Sequence, residues 1–155
     1  MRSLQLATSE DMETLLPLVT AFHAEQAFAG DEAHRRAALQ PLLDGSPHGA
    51  IWLIGPRKAP VGYIAITFGW SIEYGGLDGI VDEIYIRPAV RGRGMGSEAL
   101  FAVGKALKSG GVRALHLEVD RADEAAQKFY TRARFAPRDG YTVSYTHLRA
   151  HETRH

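Results

Sequence analysis

Between Val81 and Leu107 the chain reads VDEIYIRPAVRGRGMGSEALFAVGKAL. A strand pattern meets a proline, passes through alternating arginines and glycines, and becomes an amphipathic helix pattern. No other stretch constrains the fold as much. A strand that feeds a helix through a short glycine loop belongs to a layered α/β arrangement, in which the helix must pack back on a sheet. The flanks agree. Arg2 to Ala7, Ala50 to Ile54, Val61 to Phe68 and Gly79 to Ile86 carry strand patterns, as do Leu115, Leu117 and Val119. Met12, Leu15, Leu16, Val19 and Phe22 recur at helical spacing, and a second helix opens at Asp31 and stops near Gly45. Thr8 and Ser9 are candidate caps for the first of these helices. Ser97 to Ser109 reads as a third helix, stopped by Gly110 and Gly111, and Asp123 is placed to cap a last one. The stretch GWSIEYGGLDG reads as a loop or a bulged strand end, and a final strand pair is expected around Phe135 and Gly140 to Tyr145. With 155 residues, no internal repeat and no linker, one α/β domain with a mixed sheet is expected.

Composition removes several classes. Lys plus Arg and Asp plus Glu both number 18, so the net charge is zero, which argues against a general nucleic-acid binder. The chain has no cysteine, so disulfides, zinc–thiolate sites and a cysteine acyl-enzyme are excluded. No apolar run is long enough to span a membrane, and the first residues lack a signal-peptide core. A cytoplasmic protein with no membrane and no nucleic-acid partner is the expectation.

The arginine-glycine loop has a chemistry of its own. Glycines let backbone N–H groups approach a ligand and converge on it. The following helix start adds partial positive charge, and Arg91 and Arg93 add forked donors. That combination suits phosphate. A nucleotide P-loop would need Lys and Ser/Thr after its last glycine, but Met95 and Gly96 follow Gly94. A dinucleotide fingerprint would need a glycine where Ser97 stands.

The same residues resemble the acyl-coenzyme-A motif of the GNAT N-acetyltransferase superfamily. Arg91, Gly94 and Gly96 match its Arg/Gln-x-x-Gly-x-Gly/Ala core, and Tyr85, Ile86 and Pro88 match its lead-in. Downstream, LEVDRADEAAQKFYTRARF is similar to the family's second motif at Ala126 and Tyr130. It departs at Asp123, where asparagine is common, and at Arg134, where glycine usually precedes Phe135. The resemblance implies a mixed, mostly antiparallel central sheet, splayed between strands four and five and flanked by helices. It implies acetyl-CoA as cofactor. Its pantetheine amides would pair near Ile84, Tyr85 and Ile86, and its diphosphate would lie on Arg91, Gly92, Arg93, Gly94, Met95, Gly96 and Ser97. Asp123 and Tyr130 would complete the cofactor contacts.

A primary amine arrives protonated and needs a base before it attacks a thioester. Glu83, two residues before Tyr85, is the first candidate, with Asp82, Glu118 and Glu73 as alternatives. Tyr130 matches the family position that donates to the departing thiolate. In this family the first two helices and the third-to-fourth strand connection shape the acceptor site. Here they supply Phe22, Glu25, Phe28, Asp31, Trp70, Glu73, Tyr74 and Asp78, acidic and aromatic groups suited to a small cationic amine. The implied activity is direct acetyl transfer in a ternary complex. A catalytically silent coenzyme A sensor is the competing reading. Similar proteins are commonly dimers, so a homodimer is compatible.

The last stretch, residues 144–155, lacks the apolar alternation of a closing strand and resembles translated cloning or adaptor sequence. The domain is therefore drawn over residues 1–143. His147, His151 and His155 are spaced four apart but are not read as a metal site.

Overall fold

A computed structural model describes residues 4–120, 122–137 and 144–147. The chain forms two compact units, Met1–Ile66 with Glu83–Gly96, and Thr67–Asp82 with Ser97–His155.

In the first unit, β1 (Leu4–Leu6) runs antiparallel to β2 (Gly49–Ile54), with Leu4 opposite Ile54 and Leu6 opposite Trp52. A single 3-10 turn, Ser9–Asp11, leads into α1 (Met12–Gln26), and α2 (Glu32–Leu43) follows. The start of α1 is organised by Asp11, which is only 3% exposed. Its carboxylate accepts the Thr8 N–H at 2.7 Å and pairs with Arg57 from the β2 to β3 connection. A buried carboxylate needs such partners, because desolvation otherwise costs more than the contact returns. Asp31 caps α2 by accepting the His34 N–H at 2.9 Å. Arg36 of α2 spans both oxygens of Glu13 on α1 at 2.8 and 3.0 Å. The interior holds Leu15, Leu16, Leu18 and Val19 of α1, Leu39 and Leu43 of α2, and Ile51 and Leu53 of β2. These are the inward positions of the helical and strand periods.

Two long strands, β3 (Gly62–Ser71) and β4 (Gly76–Ile86), pass through both units. In the first unit the strand order is β1-β2-β3-β4. At Gly62, β3 and β4 pass close together. A Cβ there would stand 2.2 Å from the Tyr85 carbonyl oxygen, so only glycine fits. Arg87 donates its N–H to the Val61 carbonyl at 2.8 Å.

In the second unit β4 pairs in parallel with β5 (Ala114–Glu118), placing Asp78 opposite Ala114 and Ile80 opposite His116. The crossover between them contains α3 (Met95–Ser109). After β5 come α4 (Glu124–Arg132), β6 (Ala136–Pro137) and β7 (Ser144–His147). β7 lies between β5 and β6 and runs antiparallel to both. The sheet is thus mixed, as expected, with a parallel β4–β5 pair. Ala99, Leu100 and Val103 of α3 and Ala114 and Leu115 of β5 are fully buried.

Three boundaries differ from the sequence reading. The segment read as a loop or bulged end is mostly strand: β3 continues to Ser71 and β4 starts at Gly76. Its glycines obscured the pattern, yet they are places of close approach. A Cβ on Gly69 would lie 3.1 Å from an Asp78 carboxylate oxygen, and one on Gly76 would lie 3.0 Å from the Arg113 side chain. α3 begins at Met95, two residues before the expected Ser97, because left-handed Gly94 ends the loop there. Finally, Ser144–His147 falls in the segment set apart as a tail, and it pairs with Leu115–Glu118. Residues 138–143, with most of the expected final strand at 140–145, lie outside the described residues, as do His151 and His155. Among the described residues no helix is long and apolar enough to cross a membrane.

Candidate active site

Glu83 separates itself from the other candidate bases by its surroundings. Asp82, Glu73 and Glu118 are exposed. The Glu83 side chain is 18% exposed, and both of its oxygens are engaged. The Tyr63 hydroxyl of β3 donates to Oε1 at 2.7 Å. His23 Nε2 of α1 lies 2.8 Å from Oε2. A carboxylate only accepts, so Nε2 carries the hydrogen at this contact. Each oxygen can accept about two hydrogen bonds, so the carboxylate keeps lone pairs for a further proton.

Aromatic rings enclose the clamp. Phe22 lies 6.3 Å from Tyr63 and 6.0 Å from Tyr85, ring centre to ring centre. Phe28 stands edge-on to Phe22 at 6.0 Å and to His23 at 5.2 Å. Phe28 reaches that position because α1 ends on Ala27 in the left-handed region, φ 57°, with the Phe28 N–H returning to the His23 carbonyl at 2.9 Å. A non-glycine residue there carries strain of roughly 1 kcal/mol, and it turns the Phe28 ring back onto the helix. Phe28 remains 50% exposed, so this group has an open side.

Arg91 does not extend into the loop it belongs to. Its Nε donates to the Ile86 carbonyl at 2.7 Å, its Nη2 pairs with Glu25 at 2.7 Å, and its guanidinium lies 5.4 Å from the Tyr85 ring centre. The side chain fastens the loop to the end of β4 and to α1. Arg93 and the turn residues Gly92 and Gly94 are exposed, with φ of 82° and 77° at the glycines. Nothing lies within 4 Å of where a Gly92 Cβ would stand. Met95 and Gly96 then open α3, whose first-turn N–H groups have no carbonyl of their own helix to meet. Ser97 is buried at 6%. At the end of β4, Tyr85 and Ile86 are buried and Ile84 is half-buried. Arg87 turns its N–H toward Val61, so strand alternation turns the main-chain groups of Ile84 and Ile86 to the opposite edge.

In the second unit, Asp123 caps α4 by accepting the Ala126 N–H at 2.9 Å. Tyr130 on that helix packs 5.0 Å from Phe129 and 6.1 Å from Phe135. Burial, aided by the Asp123 charge, pushes its hydroxyl up to about 12. Arg134, the departure from the family's glycine, has φ 74° and stacks 5.6 Å from the Phe101 ring centre.

The sequence-derived acceptor residues divide. Phe22, Glu25 and Phe28 gather in the first unit beside Glu83 and Arg91. Glu25 is occupied by Arg91, and Asp31 by the cap of α2. In the second unit Trp70 is 72% exposed and Glu73 is exposed, whereas Tyr74 is only 4% exposed and packs 5.8 Å from His116. Asp78 lies 3.3 Å from His116. His23 and Tyr63, which hold Glu83, were not singled out from sequence. They stand 60 and 20 residues from it, and no motif joins them. Among the described residues no cluster of three or more ligating side chains could hold a metal ion.

The sequence profile of the acetyltransferase (GNAT) family matches residues 15–135. The chain belongs to that family. No curated protein matches the chain. Among solved structures, this GNAT protein is 37% identical to an integron cassette protein from the mobile metagenome of Cole Harbour Salt Marsh, with a TM-score of 0.76 over 87% of this chain and 84% of that one. It is 29% identical to a protein of Arthrobacter sp. FB24 assigned as an acetyltransferase, with a TM-score of 0.75 over 88% and 86%. An acetyltransferase from Thermus thermophilus is 25% identical, with a TM-score of 0.68 over 94% and 96%.

Proposed function

We propose that this GNAT protein is an N-acetyltransferase that moves an acetyl group from acetyl-CoA directly to the primary amine of a small cationic acceptor. One observation carries the reading. Glu83 is a half-buried carboxylate oriented by two hydrogen bonds, among aromatic rings with an open side. A positioned carboxylate of this kind is suited to remove the proton of an ammonium group, directly or through a water. The surrounding rings of Phe22 and Phe28 favour a cation against their faces.

The residues of the loop fit a diphosphate. Two left-handed glycines, an exposed Arg93 and the first turn of a fifteen-residue helix form a set of donors that matches anionic oxygens. The outward main-chain groups of Ile84 and Ile86 fit amides, as an added strand would, although the Ile86 carbonyl already serves Arg91. When bound, acetyl-CoA would supply the activated acetyl thioester. Arg91 would act by holding the loop in register rather than by direct charge pairing. Tyr130 keeps its proton at neutral pH because its hydroxyl is raised to about 12. An ordinary thiol ionises near 8.5, so full proton transfer to a thiolate would run uphill by roughly 5 kcal/mol. Tyr130 would therefore stabilise the departing sulfur as a hydrogen-bond donor, and solvent would complete its protonation.

The test is thiol release from acetyl-CoA in the presence of a free amino acid, a polyamine, an aminoglycoside and a peptide with a free N-terminus. Acceptor-dependent thiol from one of these supports the reading. Tight coenzyme A binding with no acceptor-dependent thiol from any of them would make the protein a sensor instead.

A further inference from the structure

The aromatic pocket around Glu83 contains one expensive choice. His23 Nδ1 is buried and has no hydrogen-bond partner among the described residues. A buried polar atom left unsatisfied carries its full desolvation penalty. Leucine or phenylalanine would fill the space between Phe22, Phe28 and α1 without that cost. What the imidazole offers and those side chains do not is its other nitrogen, 2.8 Å from Glu83 Oε2.

We propose that His23 is a positioning residue for proton abstraction, donating its Nε2–H to one oxygen of Glu83 while the Tyr63 hydroxyl fixes the other. The inference rests on reading Glu83 as the base. A carboxylate on a strand can rotate about its terminal torsion, which is broad and weakly restrained. Two donors from two different elements, α1 and β3, remove that freedom. The ring itself is held by Phe28, edge-on at 5.2 Å, and by Phe22 at 6.1 Å. Glu25, two residues along the same helix, is paired with Arg91. The arrangement fixes where the remaining lone pairs of Glu83 point, and so where an amine must stand. Misplacing a reacting group by about 1 Å can cost on the order of a hundredfold in rate.

Glutamine carries an N–H close to the position of His Nε2, and methionine fills similar space without a donor. With the acceptor from the amine panel that gives most thiol, His23→Gln is expected to keep kcat within about threefold of the parent. His23→Met is expected to lose about tenfold or more in kcat, with KM for acetyl-CoA unchanged. Equal kcat for the two variants, with melting temperatures matching the parent, would overturn the proposal. A second readout needs no acceptor. Nitrogen-15 NMR of the histidine rings should show one buried histidine protonated at Nε2, with a downfield ring proton that shifts in Glu83→Gln. A His23 ring protonated at Nδ1 alone would also overturn it. Glu83→Gln separates the two levels: full activity there sinks the base reading, whereas its loss beside an active His23→Met sinks only the role of His23.

Discussion

Arg91 Nη2 lies 2.7 Å from Glu25 Oε2, and the same guanidinium holds the Ile86 carbonyl through Nε. The first residue of the glycine loop is thus tied to a helix 66 residues earlier in the chain and to the end of the strand before it. The forked, planar group makes both bonds at once, which an ammonium on a flexible stem does poorly. Arg91→Lys is expected to weaken coenzyme A binding about tenfold while leaving the melting temperature almost unchanged, since the Glu25 pair is half exposed and worth little to stability. Isothermal titration with coenzyme A and a thermal melt check both halves. An unchanged Kd would show that the loop does not depend on this tie.

Gly94 has φ 77°, a region in which a side chain is strained by roughly 1–2 kcal/mol. Gly94→Glu adds that strain and puts a carboxylate where phosphate oxygens are proposed to lie. Coenzyme A affinity should fall by about tenfold or more. An unchanged titration would count against the placement of the diphosphate.

Gly62→Ala tests the close passage of β3 and β4. The new Cβ would meet the Tyr85 carbonyl at 2.2 Å, backbone against backbone, so one strand must shift. A loss of roughly 2 kcal/mol or more in urea unfolding is expected. Because Tyr63 and Tyr85 flank the contact, acetyl transfer should fall with it. A stable and fully active variant would mean that the strands have slack there.

Tyr130 gives a pH dependence with a definite sign. Its folded hydroxyl is raised to about 12, above the ordinary value near 10, so the fold favours the neutral phenol. The stability it contributes is complete below pH 10 and is lost as pH rises through 12. In Tyr130→Phe, unfolding free energy should decline less over that interval, by roughly 2 kcal/mol. Turnover in the same variant should fall more than coenzyme A affinity. Equal losses in turnover and affinity would make Tyr130 a packing or binding residue.

Local chemistry was legible in the sequence where a few neighbouring residues determine it. Asp31 and Asp123 cap the helices expected of them, the loop glycines adopt positive φ, and Arg134 occupies the strained position its departure from glycine implied. What pairs only through the tertiary fold was not. His23 reaches Glu83 across 60 residues of chain, and nothing near His23 in the sequence announces it. Phe28 turns back because Ala27 accepts a conformation that glycine usually supplies, a choice propensity argues against. Tyr74, grouped with the acceptor residues for its type and its place in the hairpin, is buried against His116, since the turn after Ser71 folds its ring inward.

The role of Glu83 is tested most directly by replacing its carboxylate with an amide of the same shape. Glu83→Gln keeps a hydrogen-bonding oxygen but cannot take a proton from an ammonium group. Steady-state kinetics with acetyl-CoA and the best amine acceptor should show kcat reduced by on the order of a hundredfold or more, with the acetyl-CoA Kd within about twofold of the parent. A variant that turns over at the parent rate would place the base elsewhere in the molecule.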